Sequence, residues 1–311
     1  MRRAAAASNV VPLPLLACIC VVFFLLAVNL SSSNKTPVAV QSSTASDVPT
    51  HCTAALRFLP LDRSKVTVLA SYPGSGNTWL RHLIQQGTRV HTGSVYNDAS
   101  LKQEYPGEGI RDSTVVVAKT HFPCGGCWNV NGQPATERQT GRLDGRTILL
   151  LRNPFHAILS EFNRKQSGLN HTGVIAATLL TSPEFEAFVR FRVPSWRRHT
   201  QWYQQLADVF VVPYERLVAQ PRDELIRIFA FLKQRRPLAL KNLQPAIAAD
   251  CALGKDAQGH FRRDRPKLVD PFQWTPPGAH ESLRAWACRE LAGVWDASAW
   301  GACLVDAATA V

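Results

Sequence analysis

The 311-residue sequence contains no internal repeat and no cysteine-dense stretch that would form a second folded module. Acidic residues are few, since 23 Asp and Glu stand against 35 Lys and Arg. The charged fraction of 19% beside a hydrophobic fraction of 46% excludes a disordered chain and predicts a globular core. The formal net charge of +12 suits anionic partners, namely phosphorylated or sulfated nucleotides, acidic glycans or nucleic acid.

The sequence also contains few patterns of residues that are typical of a metal site. The sequence has one CxxC pair, Cys124 and Cys127, with neither a second CxxC nor a matched pair of histidines. Zinc is therefore weakly supported, and a redox pair is an alternative. A local disulfide, or participation in two separate disulfides, is the favoured interpretation for this pair.

Charge is absent from Val10 to Val28, an apolar run long enough to cross a bilayer as a helix. A cleaved signal peptide is the alternative, but no convincing small-residue cleavage site follows the run. We therefore expect an uncleaved signal anchor, and Arg2 and Arg3 keep the short N-terminal end cytosolic. The predicted organisation is a cytosolic tail (1–9), a transmembrane anchor (10–30), a lumenal stem (31–62) and one domain (63–311).

A lumenal body makes nucleic acid an unexpected partner and predicts disulfides. Six cysteines remain outside the membrane segment, and their connectivity is left open by the sequence. Two sequons, at Asn34 and Asn170, are compatible with a glycoprotein. The stem is rich in Ser, Thr, Ala, Val and Pro and shows no helical or strand periodicity.

The domain alternates short apolar strands with amphipathic helical segments. The predicted strands are 66–70, 114–118, 147–151 and 209–212, and the predicted helices are 78–86, 155–165, 196–206, 222–233 and 281–291. Nearly continuous apolar strands separated by helices predict an α/β, three-layer fold with a central parallel sheet. In such sheets ligands bind beyond the carboxyl ends of the strands.

The stretch from Val66 to Trp79 predicts a strand, a glycine-containing loop and a helix N-terminus. Backbone N–H groups at a helix start, together with the helix dipole, favour an anion. Gly74 and Gly76 lack the side chains that would block a phosphate. No Lys precedes Thr78, so the loop is not a Walker A loop, and an ordinary strand-turn-helix is the alternative.

Polar residues follow the second strand as Lys119-Thr-His121. Residues two apart in an extended segment point to the same side. His121 is a plausible general base, and the nearby cation would lower its pKa and keep it neutral. A loop histidine beside a solvated lysine is the alternative.

The later strands end in further candidate anion ligands. Arg152 begins an Arg-Asn-Pro turn, and Ser160 lies eight positions on, within the next helix, so both could reach one phosphate. A surface ion pair and an exposed serine are the alternatives. Tyr214 and Glu215 follow the fourth strand, and Arg262 and Arg263 lie in a basic loop that could close over an anion or simply be solvated.

Taken together, the order and spacing of these motifs resemble the sulfotransferase family, which transfers a sulfuryl group from 3′-phosphoadenosine-5′-phosphosulfate (PAPS). The family pattern YPKSGTTW corresponds to Tyr72–Trp79, and Lys-[S/T]-His-[L/F]-Pro corresponds to Lys119–Pro123. The Arg-Asn-Pro motif with its serine corresponds to Arg152 and Ser160, and a Tyr-Glu pair to Tyr214 and Glu215. The similarity is greatest to the membrane-anchored branch that carries WSC domains, although no WSC module is recognised in this sequence.

This resemblance implies a role for each matching residue. His121 would act as the catalytic base, and Lys119 would stabilise charge beside it. The loop from Ser75 to Thr78 would bind the 5′-phosphosulfate. Arg152 and Ser160 would bind the 3′-phosphate, together with Arg262 and Arg263. Trp79 and Tyr214 would flank the adenine. The implied donor-binding residues are Gly74, Ser75, Gly76, Asn77, Thr78, Trp79, Arg152, Ser160, Tyr214, Arg262 and Arg263.

One departure from the family pattern affects the expected chemistry. Gly74 stands where the cytosolic branch has a lysine on the bridging oxygen, and Lys119 or Arg81 are the possible substitutes. The expected activity is transfer of a sulfuryl group to a hydroxyl, most plainly one on a glycan, in the Golgi lumen. No metal is expected, because the donor arrives activated. Acidic glycans would suit the charge excess. A non-catalytic nucleotide- or glycan-binding protein and a P-loop kinase are the alternatives.

Overall fold

A computed structural model describes residues 50–124, 143, 145–168, 175–254 and 281–294. All of them belong to one compact unit that spans residues 48–311. None of the helices in these ranges combines the length and apolar character needed to cross a bilayer. The predicted anchor (10–30), both sequons, Cys127, Arg262 and Arg263 lie outside the described residues.

The described chain contains five strands and eight α-helices. The strands are β1 (Thr67–Ser71), β2 (Gly93–Ser94), β3 (Val117–Thr120), β4 (Thr147–Leu151) and β5 (Val209–Pro213). The helices are α1 (Thr50–Thr53), α2 (Asn77–Thr88), α3 (Pro154–Gln166), α4 (Pro183–Gln204), α5 (Tyr214–Ala219), α6 (Pro221–Arg235), α7 (Pro245–Ala252) and α8 (Glu281–Leu291). Short 3-10 helices occupy Ala99–Leu101 and Ala177–Thr181.

The five strands form one sheet in the order β2-β3-β1-β4-β5, and every neighbouring pair is parallel. The prediction of a central parallel sheet flanked by helices is therefore confirmed. β1 is the central strand, with β3 and β2 on one side of it and β4 and β5 on the other. The carboxyl ends of β3, β1 and β4 consequently converge, which is where ligands bind in such sheets.

Alternate residues of the strands face two different helical layers. Leu69, Ile148 and Leu150 pack with apolar residues of α2, α6 and α7. Leu149 and its neighbours Val68 and Ala70 pack instead under α4, beside the cluster that α3, α4 and α8 form. Because both faces are covered, the central strands read as continuous apolar runs rather than alternating ones.

Two predicted elements begin more than two residues away from their start in the structure, whereas the bounds of the other predicted elements agree within two residues. The strand predicted at 114–118 begins only at Val117, because the Asp112 carboxylate accepts hydrogen bonds from the Thr114 backbone N–H and hydroxyl and holds that segment in a turn. The helix predicted to begin at Trp196 begins at Pro183, where Ser182 caps it. Pro194 lies inside this helix and does not end it.

The segment that leads into the domain is fastened to its surface. Cys52 forms a disulfide with Cys251 of α7, across a sequence separation of 199 residues. Leu59 is buried in the core, and its backbone N–H donates to the Thr114 carbonyl at 2.8 Å. Residues 50–62, the C-terminal part of the predicted stem, therefore pack against the domain. Cys124 and Cys288 are also disulfide-bonded.

Replacing Cys52 and Cys251 together by serine is expected to lower the free energy of unfolding by about 2–5 kcal/mol, because the crosslink closes a very long loop. Chemical denaturation of the full-length chain measures this loss. Arg222→Gln, which removes an exposed ion pair to neighbouring Asp250, is the control and is expected to cost less than about 1 kcal/mol. Equal midpoints for the double variant and the unmodified protein would contradict the prediction.

Candidate functional site

The loop between β1 and α2 lies at the convergence of the strand ends. Gly76 occupies the N-cap of α2 with φ 90°, and no side chain caps this helix in the described structure. The first hydrogen bond of the helix runs from the Leu80 N–H to the Gly76 carbonyl at 3.1 Å. The preceding helix amides, those of Asn77, Thr78 and Trp79, have no intrahelical acceptor and suit an anion.

Two polar atoms of this loop are buried and have no hydrogen-bond partner among the described residues. They are the Ser75 hydroxyl and the Asn77 side-chain oxygen. The Ser75 residue is only 1% exposed, and a buried hydroxyl without a partner costs free energy unless a ligand completes it. The Ser75 hydroxyl therefore fits a bound oxyanion.

The Asn77 side chain is already engaged within the protein. Its amide nitrogen donates to the Leu69 carbonyl at 3.2 Å and to the Ser71 hydroxyl at 3.0 Å. Since these bonds occupy its donors, the anion-binding group that Asn77 offers is its backbone N–H. The side chain instead ties the start of α2 to the end of β1.

Gly74 makes the closest approach between the loop and the helix that follows β4. Its φ is +82°, and a Cβ built on it would lie 2.1 Å from the Ala157 carbonyl oxygen and 3.0 Å from the Glu161 nitrogen. Glycine is thus required here both for conformation and for space. A lysine cannot occupy this position unless α3 moves away from the loop.

Arg152, at the end of β4, joins the same contact. Its Nη1 donates to the Gly74 carbonyl at 2.7 Å, and its guanidinium carbon lies 4.2 Å from the centre of the Tyr214 ring. Its Nε is buried without a hydrogen-bond partner. The structure therefore brings the Arg-Asn-Pro turn against the glycine loop and leaves part of the guanidinium available to an anion.

Tyr214 forms the other wall of the loop. A Cβ added to Gly76 would lie 2.8 Å from the Tyr214 ring, and the Trp79 ring centre lies 6.0 Å from it in an edge-on arrangement. The residue after Tyr214, Glu215, accepts a hydrogen bond from the Asn153 backbone N–H at 3.0 Å. These contacts hold the ends of β4 and β5 together beside the loop.

Ser160 lies on α3 beside Ala157 and Glu161, the two residues that Gly74 approaches, and it is half-buried. Ser160 and Arg152 do not bond directly to each other in the described structure, so their sharing of one phosphate stays a prediction. The same holds for the two arginines of the predicted basic loop, which fall outside the described residues.

His121, after β3, is held by the end of β1. Its Nδ1 lies 2.7 Å from the Ser71 carbonyl oxygen, and its backbone N–H donates to the Tyr96 hydroxyl at 2.9 Å. A carbonyl oxygen only accepts, so Nδ1 carries the proton and Nε2 carries the lone pair. Burial, and then the charge of Lys119, lower the pKa of His121 well below 6.5. The imidazole is therefore neutral and presents a basic nitrogen.

Lys119 and Arg81, the two possible replacements for the missing loop lysine, have different surroundings. The Lys119 ammonium lies 3.5 Å from the Thr78 hydroxyl, and burial followed by the charge of Arg81 lowers its pKa to about 8. Arg81 is fully buried, bonded to Glu108 at 2.5 Å and to the Thr92 hydroxyl at 2.9 Å. Of these two residues, Lys119 is the one that lies beside the loop.

Two positioning residues, Ser71 and Tyr96, are not predicted from the sequence. Both bond to His121, which is distant from them in sequence, and a serine or tyrosine near a strand end carries no specific pattern. Glu215, which accepts a bond from the Asn153 backbone N–H, is indicated in the sequence only by the Tyr-Glu pair. No group of three or more His, Cys, Asp or Glu side chains that could hold a metal occurs in the described ranges.

A scan against protein-family models finds no match. Curated relatives are WSCD family members: one of Drosophila melanogaster is 35% identical over 76% of this chain, and one of Aedes aegypti is 36% identical over 70%. The chain spans 66% and 63% of these relatives, a little under two thirds of their length. Among solved structures, a mouse sulfotransferase complexed with PAP matches with TM-score 0.42 and 20% identity over 74% of this chain and 86% of its own. At this similarity it adds nothing to the argument about the site.

Gly74→Ala is expected to lower the free energy of unfolding by roughly 2–5 kcal/mol, because the added methyl meets a backbone carbonyl and the positive φ is strained. Gly168→Ala is the matched control, since Gly168 also has a positive φ, +69°, with nothing within 4 Å of the built Cβ. It is expected to cost roughly 1–2 kcal/mol. Equal losses in chemical denaturation would show that the contact with Ala157 is unimportant.

Proposed function

The chain belongs to the WSCD family, and from that membership and the geometry of the loop we propose that it transfers a sulfuryl group from PAPS to a hydroxyl. The observation that carries the proposal is the 2.7 Å bond from Arg152 to the Gly74 carbonyl. It joins two motifs that resemble the sulfotransferase phosphate sites, although they are far apart in sequence.

The loop fits the two anionic ends of the donor. The free amides at the start of α2 and the partnerless Ser75 hydroxyl suit the 5′-phosphosulfate. Arg152 and Ser160 suit the 3′-phosphate, with the Arg152 Nε as an available donor. Trp79 and Tyr214 provide the aromatic surface for the adenine.

His121 is the proposed general base. Its Nε2 takes the proton from the acceptor hydroxyl as the oxygen attacks sulfur. The new O–S bond forms while the bond from sulfur to the bridging phosphate oxygen breaks, and the nucleotide leaves with that electron pair. The bond from Nδ1 to the Ser71 carbonyl holds the required tautomer, and the lowered pKa keeps the base unprotonated near neutral pH.

Lys119 is the proposed source of the positive charge that the loop itself lacks. It lies beside Thr78 at the start of α2, whereas the fully buried Arg81 is bonded to Glu108. A preorganised cation at the leaving phosphate is among the larger contributions to catalysis. The close contact of Gly74 with α3 explains why a glycine rather than a lysine stands at this position.

We further propose a glycan acceptor and a Golgi, single-pass type II location with the domain in the lumen. The Cys52–Cys251 disulfide supports an oxidising compartment, and the uncharged run at 10–30 supports an anchor. The net charge of +12 favours acidic acceptors in that compartment.

A non-catalytic nucleotide-binding protein is the second candidate, and the observation that favours it is the loop without a lysine. Binding and turnover distinguish the two. We expect the nucleotide product, 3′-phosphoadenosine-5′-phosphate, to raise the unfolding temperature of the full-length protein. His121→Ala is expected to keep this protection and to lower kcat by about 10²–10⁴-fold.

The control for that experiment is His51→Ala, a histidine of α1 whose Nε2 lies 2.9 Å from the Gly87 carbonyl oxygen. It is expected to retain turnover. Protection by the nucleotide without any turnover, using radiolabelled PAPS and a glycan panel, would favour the binding protein. Absence of protection would contradict both candidates.

The pH dependence of kcat/KM tests the role of Lys119. Since its pKa is lowered to about 8, the ammonium is present below that pH and is lost above it, so the rate is expected to fall on the alkaline side. His121 stays neutral until the pH is well below 6.5, so no acid limb is expected near neutrality. Lys119→Arg, which stays charged, is expected to remove the alkaline limb. An unchanged alkaline limb in this variant would exclude Lys119 as its source.

A further inference from the structure

Arg192 of α4 is a buried cation whose hydrogen-bonding capacity is incomplete. The residue is 2% exposed, and its Nε and Nη1 atoms have no hydrogen-bond partner in the part of the chain that the structure describes. Its backbone carbonyl accepts a bond from the Tyr72 hydroxyl at 3.3 Å, which places this turn of α4 beside the loop. Buried guanidinium groups are ordinarily paired, so these two nitrogens indicate a missing anion.

A second cation lies on α3, the helix that packs against α4. Lys165, near the end of α3, is half-buried. Burial lowers its pKa, and the charge of Arg192 lowers it further. The two cations are therefore carried by neighbouring, packed helices.

The charges around this pair do not neutralise it. Glu161 is the carboxylate that acts on Lys165, and both of its oxygens already accept bonds from Arg164 at 2.8 Å. Phe188 and Phe191 lie 5.1 and 5.6 Å from the Arg192 guanidinium and supply part of the stabilisation. Among the described residues, the two positive charges therefore have no carboxylate beside them other than Glu161, which is already paired with Arg164.

We propose that Arg192 and Lys165 form a second anion site, which binds a single oxyanion such as a carboxylate or a sulfate. Lys165 lies about one helical turn beyond Glu161, which approaches Gly74, so the site adjoins the donor loop. It uses none of the residues assigned to the donor. If the proposed function holds, this oxyanion is a group carried by the acceptor.

Sulfate binding to the full-length protein tests the site directly, with the adenosine bisphosphate present at saturation to occupy the donor loop. Sulfate is expected to raise the unfolding temperature of the unmodified protein. Arg192→Met is expected to raise the Kd for sulfate at least about tenfold, since it removes a charge-assisted bond. Arg190→Met is the matched control on the same helix, because Arg190 is exposed and paired with Glu186, and it should keep the affinity.

Stability without added anion gives an independent readout. An unpaired buried charge is costly, so Arg192→Met is expected to unfold at an equal or higher temperature than the unmodified protein in anion-free buffer. A lower unfolding temperature together with unchanged sulfate affinity would overturn the site. If Arg192→Met does not fold, Lys165→Met is measured instead, and full sulfate affinity in that variant would also overturn it.

Competition distinguishes the possible sources of the oxyanion. If glucuronate displaces sulfate and glucose does not, the site binds a carboxylate carried by the acceptor. Binding of sulfate alone supports the site and overturns its assignment to the acceptor. If the bisphosphate fails to protect but sulfate protects through Arg192, the proposed function fails and the anion site stands. If the bisphosphate protects but sulfate does not, the anion site fails and the proposed function stands.

Discussion

The contact between Gly74 and α3 is the constraint on which the site depends. The loop can approach the Ala157 carbonyl only because position 74 has no side chain, and Arg152 bonds the same glycine from the end of β4. One residue thus joins the loop after β1 to the strand and helix of the Arg-Asn-Pro motif. Tyr214 closes the arrangement, since it packs on both Gly76 and Arg152.

This constraint also accounts for the chemistry of the loop. A lysine at position 74 would displace α3, so in the proposed reaction the cation comes from another element. Lys119 reaches Thr78 from β3, the strand next to β1, and burial lowers its pKa to about 8. Under the proposal, the departure from the sulfotransferase pattern is a change in which element supplies the positive charge.

The sequence predicted the parallel sheet and the residues at its strand ends, because apolar runs and turn residues are local signals. It could not decide between Lys119 and Arg81, since the pairing of Arg81 with Glu108 is a contact between distant segments. It also placed the start of β3 too early, because the turn at Asp112 depends on a side-chain bond. The pairing of Cys52 with Cys251 could not be predicted either, because the two cysteines are 199 residues apart and no local pattern links them.

The Asn77 side chain adds a connection between the two halves of the proposed reaction. It links the first turn of α2, where the donor would bind, to the Ser71 hydroxyl, and the Ser71 carbonyl holds the His121 tautomer. A shift of the loop would therefore alter both the amides that face the donor and the imidazole that faces the acceptor. Because β1 is the central strand and is buried throughout, Ser71 is a rigid reference for both groups. In the proposed reaction the base and the donor are therefore positioned by the same backbone segment, which would fix their relative orientation.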